Sequence, residues 1–191
     1  MTIAKAVNEK RLWQRHMDLA KIGATAKGGV NREAFTPEEA EARKLLASWA
    51  EARGFSCAVD DIGNLFFRRA GTDPNADPVV TGSHIDSQPT GGKFDGIYGV
   101  LSGLEVIRSL NDMGLETERP IEVSAWTNEE GSRFAPAMTA SGVFGGVFDL
   151  EYGLSRADAD GKTIGEELER IGYAGDVACG GRDIAAFFEV H

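Results

Sequence analysis

Apolar residues recur along this chain with two periods, one helical and one extended. From Asn8 to about Ile22 they fall at helical spacing, with Leu12, Met17, Leu19 and Ala20 among them and Gly23 as the stop. After a loop around Gly28-Gly29-Val30, a second helix starts at Thr36. Thr36 can cap it, Pro37 suits its first turn, and Glu39 stands where a capping box needs it. This helix turns Ala42, Leu45, Leu46 and Trp49 inward and ends at Gly54. Phe55 to Val59 and Leu65 to Arg68 read as strands joined by a turn at Asp60–Asn64. A surface loop at Gly71–Asp77 precedes a strand at Val79, and an irregular loop spans Gly91–Gly96. A helix from Tyr98 to Met113 then carries Val100, Leu101, Leu104, Val106 and Ile107, before another strand at Ile121. Pro136–Phe148 reads as a short helix plus loop. Thr163, with Glu166 three residues on, opens a helix to Ile171, and a last strand ends at His191. Helices alternating with short strands predict one α/β layered domain, with no internal repeat and no sign of a second domain.

Three apolar runs end on groups that bind divalent metals. Pro78–Ser83 leads to His84-Ile85-Asp86, Ile121–Trp126 to Thr127-Asn128-Glu129-Glu130, and Ala185–Val190 to His191. Ligands of open α/β sheets lie beyond the carboxyl ends of the strands, so the pattern suggests a metal site. Each signal has a plainer alternative. His84 and Asp86 share a face if the strand persists, and Asp86 can instead support the imidazole through its second nitrogen. Asp95, in Gly91-Gly92-Lys93-Phe94-Asp95-Gly96, is either an ordinary Asp-Gly turn or a rigidly held carboxylate able to bridge two cations. Glu129 and Glu130 are an acidic surface loop or a pair that divides metal binding and proton transfer. His191 is a terminal residue or a ligand at a sheet edge. His16 is assigned to a helix face outside the site; Trp13, Trp49 and the phenylalanines are assigned to the core. Two imidazoles with several carboxylates suit zinc, manganese, cobalt or nickel.

Composition narrows the partners. The 191 residues are 42% hydrophobic and 26% charged, a globular balance. A net charge of -10 argues against nucleic acid and anionic membrane. No run spans a bilayer, and Met1–Lys5 lacks a secretory apolar region. Cys57 and Cys179 make no disulfide framework and no C-x-x-C pair, and read as buried thiols in a reducing cytoplasm. The glycines at 91–96 match neither phosphate-binding fingerprint.

The stretch Thr81-Gly82-Ser83-His84-Ile85-Asp86-Ser87-Gln88-Pro89-Thr90-Gly91-Gly92-Lys93-Phe94-Asp95-Gly96 closely resembles the first metal motif of the N-carbamoyl-L-amino acid hydrolases, a group that includes β-ureidopropionase and allantoate amidohydrolase. Trp126–Phe134 resembles their second motif and Phe187–His191 the start of their third; the likeness also takes in Gly28-Gly29-Val30. The resemblance implies a three-layer αβα sandwich with a mixed sheet, of the dizinc aminopeptidase-like kind. It implies two divalent metal ions, zinc or else manganese, cobalt or nickel. His84 would bind one ion, Asp95 would bridge both, and Glu130 and His191 would bind the second. Glu129 resembles the general base and Asp86 the carboxylate that orients the first histidine. The substrate would be a small N-carbamoyl or ureido compound, and an N-carbamoyl amino acid would yield the amino acid, ammonia and carbon dioxide. The family is homodimeric through an inserted lid domain, and a closing segment supplies another metal-binding histidine. Residues 1–191 would then be the N-terminal part of the catalytic domain, inactive or nearly so alone. Two rivals stand beside this. One is a related metallo-deacylase or aminopeptidase, against which Ser87–Gly92 and Asn128-Glu129-Glu130 speak. The other is a non-catalytic remnant that pairs with another chain.

Overall fold

The computed structural model describes residues 5–191; residues 1–4, on which the expectation of no secretory region partly rests, lie outside them. Five strands form one sheet: β1 (Ser56–Val59), β2 (Leu65–Arg69), β3 (Val79–His84), β4 (Ile121–Trp126) and β5 (Ala186–Glu189), in the order β1-β2-β4-β3-β5. β1, β2 and β4 pair antiparallel, whereas β3 pairs parallel with both β4 and β5, so the sheet is mixed, as expected. The parallel pairings bring the carboxyl ends of β3, β4 and β5 to one edge. His84 stands opposite Trp126, and Gly82 opposite Glu189. Two residues further along each of those last two chains stand His84 and His191.

Helices α1 (Glu9–Leu19), α2 (Pro37–Glu51) and α3 (Ile97–Asp112) cover one sheet face. Alternation places Leu65, Phe67, Val123 and Ala125 on that face, packed with Leu19, Leu46, Val100 and Leu101 in the main core. The intervening Phe66 and Trp126 point the other way and meet Phe144 of α4 (Thr139–Phe144), with ring centroids 5.8 and 5.1 Å apart. α4 belongs with α5 (Leu150–Leu154) and α6 (Ile164–Ile171) to a second cluster around Phe35, Ile62, Phe134 and Leu168. α5 had no counterpart in the sequence reading. β5 lies at the sheet edge anticipated for His191, but its apolar side chains are open to solvent, with Phe188 61% exposed. Among the described residues, no helix is long and apolar enough to cross a membrane.

On α1 one assignment is corrected and another holds but is made more specific. Trp13 is not core: it is 56% exposed and stacks on Phe94. His16 does lie on a helix face, but on the inward one, 2% exposed, against Phe94 and Tyr98. Neither of its ring nitrogens has a hydrogen-bond partner, and burial pushes its pKa below the usual histidine value. A neutral buried imidazole favours the fold above the unfolded pKa of about 6.5. That contribution is lost as pH falls through the lower folded value. Denaturant unfolding at pH 7.5 and 5.5 checks this: wild type should lose more stability on acidification than His16→Leu, and equal losses would contradict it.

Candidate metal centre

β3 delivers His84 into a fully buried position. Its Nδ1–H donates to the Asp86 carbonyl at 2.9 Å, which directs Nε2 away from the strand. The Gly96 backbone packs against the ring; a Cβ there would stand 2.3 Å from Nε2, and φ is +65°. Only glycine fits both the close approach and the left-handed backbone. The Asp86 carboxylate is 3.5 Å from Nδ1, yet its two oxygens accept the Glu129 and Glu130 amides at 3.2 Å each. Asp86 therefore orients the imidazole chiefly through its carbonyl, while its carboxylate ties the end of β3 to the end of β4.

β4 leaves the sheet through a braced turn. The Thr127 amide donates to Asn64 Oδ1, and the Thr127 hydroxyl donates to the Gly63 carbonyl. Asn128 is buried with φ +51°, and its amide group donates to Phe134 O and Thr139 Oγ1. This left-handed residue turns Glu129 toward β3, and Glu129 Oε2 lies 3.4 Å from His84 Nε2. Burial raises the Glu129 pKa and Asp86 adds to the rise, against the opposing pull of His84 and His191.

His191 arrives from β5. Its Nε2 is 3.4 Å from His84 Nε2 and 3.5 Å from Asp95 Oδ1, and its Nδ1 is 3.4 Å from Glu189 Oε1. Two nitrogens bound to one tetrahedral zinc at about 2.0–2.1 Å are themselves about 3.4 Å apart. The spacing thus fits two ligands of a single ion. His84, Glu129 and His191 offer atoms that lie mutually within 4.8 Å, and Asp95 borders them. The resemblance pairs His191 with Glu130; the observed neighbours of His191 are His84 and Asp95. Glu130 stands outside the close group and accepts a hydrogen bond from Gln88 Nε2 at 3.1 Å.

Sequence reasoning gave no role to Gln88 or Glu189. Glu189 accepts from Ser83 Oγ at 2.6 Å and braces His191. Its signal was available, because residues two apart on a strand share a face. A second group with metal-like composition, Asp60, Asp61 and Cys179, is spoken for internally. Asp60 accepts from the Ile62 and Asn64 amides and from the Asn64 side chain, and Asp61 accepts from the Cys179 amide. Burial, with the Asp60 carboxylate beside it, pushes the Cys179 thiol pKa well up, so the thiolate a metal needs is disfavoured.

Burial lowers the His84 pKa, but the Asp86 hydrogen bond and the charges of Asp86 and Glu129 outweigh it and bring it to about 9. A metal competes with that proton. Zinc uptake below pH 9 is therefore expected to release protons, with affinity rising as pH rises from 6 to 8. Calorimetry in buffers of different ionisation enthalpy reads the release, and a pH-independent affinity would contradict it.

The family model for peptidase family M20/M25/M40 matches residues 80–191. The chain is 55% identical over 187 residues to an N-carbamoyl-L-amino-acid amidohydrolase of Rhizobium meliloti, over 98% of this chain and 45% of that one. It is 34% identical to an allantoate amidohydrolase of Bacillus subtilis, over 91% of this chain and 42% of that one. A crystal structure of an amidase of the hydantoinase/carbamoylase family from Burkholderia multivorans matches with a TM-score of 0.96 at 69% identity, over 97% of this chain and 45% of that one. The chain spans less than half the length of these relatives.

Proposed function

Because the chain belongs to peptidase family M20/M25/M40, we propose that His84, His191, Asp95 and Glu129 form the core of a metal-dependent amidohydrolase centre for N-carbamoyl or ureido substrates. The observation that carries this reading is the 3.4 Å approach of the two imidazole Nε2 atoms beside two carboxylates. A divalent ion held there supplies Lewis-acid polarisation of the scissile carbonyl. His84 and His191 would hold that ion through their nitrogens, Asp95 would add a carboxylate beside them, and Glu130, released from Gln88, would help to hold a second ion. Zinc, manganese, cobalt and nickel all suit this donor set.

Glu129 is the proton carrier. It takes a proton from the attacking water and delivers it to the leaving nitrogen, a task suited to a carboxyl whose pKa burial raises. Asp86 and Glu189 act through the histidines. Hydrolysis of an N-carbamoyl amino acid at this centre gives the amino acid, ammonia and carbon dioxide. Residues 1–191 correspond to the N-terminal part of the relatives' catalytic domain, so turnover needs the part of the fold that the relatives' remaining length supplies.

A chimera tests the reading: residues 1–191 joined to the remaining portion of the Rhizobium meliloti relative. Zinc- or manganese-loaded, it should release ammonia from N-carbamoyl-L-amino acids and little acetate from the N-acetyl analogues. Preference for the N-acetyl compounds would favour the deacylase rival, and no turnover of either by a folded, metal-loaded chimera would refute the hydrolase reading.

A further inference from the structure

Three of the four groups at the centre have a brace of their own. The His84 ring is aimed by the Asp86 carbonyl, His191 has Glu189 beside it, and the Glu129 amide is held by the Asp86 carboxylate. Asp95 differs. Its side chain is 51% exposed and stands 3.5 Å from His191 Nε2, and among the described residues it accepts no hydrogen bond. The aim of this carboxylate is therefore set by the backbone that carries it.

That backbone is tied on both sides of Asp95. Before it, Gly91 exchanges two hydrogen bonds with Val30, at 2.9 and 3.0 Å. After it, the Ile97 amide donates to the Asp95 carbonyl at 2.7 Å, and the Tyr98 amide to the Phe94 carbonyl at 2.9 Å. Phe94 adds a hold through its side chain. Its ring stacks on Trp13 at 6.0 Å and meets His16 at 5.6 Å, and His16 in turn stacks on Tyr98 of α3 at 5.6 Å. Trp13 and His16 stand three residues apart on α1, hence on one face of it. Phe94 and Trp13 remain about half exposed, so their stacking takes little apolar surface out of water. The His16 imidazole is buried with neither nitrogen partnered, a cost that an aliphatic side chain would not carry. What the ring supplies instead is a flat face for each aromatic neighbour. A seat that stabilises so little is better explained by what it holds, and the residue next to Phe94 is Asp95.

We propose that Trp13 and His16 are positioning residues for the metal centre, acting through Phe94 to fix the Asp95 carboxylate beside His191. The inference rests on the reading of Asp95 as a donor to a divalent ion. It gives α1, which supplies no donor itself, a part in setting ion affinity.

The zinc affinity of the 191-residue chain, read by competition with a chromophoric chelator, tests it. Trp13→Ala and Phe94→Ala should each weaken zinc binding by about tenfold, as loss of a group that orients a ligand does, while keeping the wild-type circular dichroism spectrum. Trp13→Ala alters a half-exposed side chain and carries the comparison alone if Phe94→Ala unfolds. Phe94→Tyr keeps the ring and should bind as wild type does. Asp95→Asn should weaken binding, and Trp13→Ala added to it should weaken binding no further, because both changes act on one donor. A general loosening of the fold would add in full. Wild-type affinity in the Trp13→Ala chain or in Asp95→Asn, or full additivity of the two, would overturn the inference and leave the two histidines as a zinc site. A wild-type chain that binds no zinc would instead refute the metal-centre reading, and this inference with it.

Discussion

Arg43→Met is expected to remove about 3–5 kcal/mol of folding stability, the cost of leaving a buried charge without its partner. Arg43 and Glu39 are each 1% exposed and pair at 2.5 Å within α2. Arg43 also donates to the Gly63 carbonyl at 2.6 Å and to Thr127 Oγ1 at 3.0 Å. Burial pushes the Glu39 pKa up even with Arg43 opposing it. Without Arg43 the carboxyl takes a proton or admits water, and the turn that aims Glu129 loses a brace. Urea unfolding measures the effect, and Glu39→Met/Arg43→Met should recover much of the loss because no lone charge remains. A loss below about 1 kcal/mol in the single variant would mean that the pair is not held as described.

Glu129→Gln carries the second large effect. In the chimera it should lower turnover by about 10²- to 10⁴-fold, the usual worth of a positioned proton carrier. Metal content decides how. Retained metal with lost turnover fits proton transfer. Lost metal would make Glu129 a ligand, a reading its 3.4 Å distance from His84 Nε2 keeps chemically reasonable. Turnover near that of the parent would remove Glu129 from the mechanism.

Much of the framework was legible because long periodic segments bury one face. The helix read from Tyr98 to Met113 is α3, and the strands at Val79 and Ile121 end where the polar groups begin. α5 escaped because five residues, Leu150–Leu154, are too few to show a helical period. The capping-box pattern occurs twice and behaves differently each time. Glu166 returns a hydrogen bond to the Thr163 amide, completing the box. Glu39 does not: its carboxylate is drawn to Arg43 and the Phe35 amide. A tertiary ion pair overrides the local rule there, and no local pattern reveals it.

The candidate site was legible residue by residue but not in its pairings. Strand ends give a list of groups, while sheet order decides which of them meet. β5 pairs with β3 and not with β4, so His191 comes to His84 and Asp95, and Glu130 is left to Gln88. The placement of Trp13 and His16 has a similar cause. The docking of α1 on the loop around Phe94 buries the smaller imidazole and leaves the indole at the rim.

Anomalous diffraction from crystals grown with zinc tests the centre most directly. The expected result is a zinc peak within bonding distance of both His84 Nε2 and His191 Nε2, and its absence from His84→Ala crystals grown the same way. No peak at that position, or a peak only beside Asp60, Asp61 and Cys179, would contradict the account.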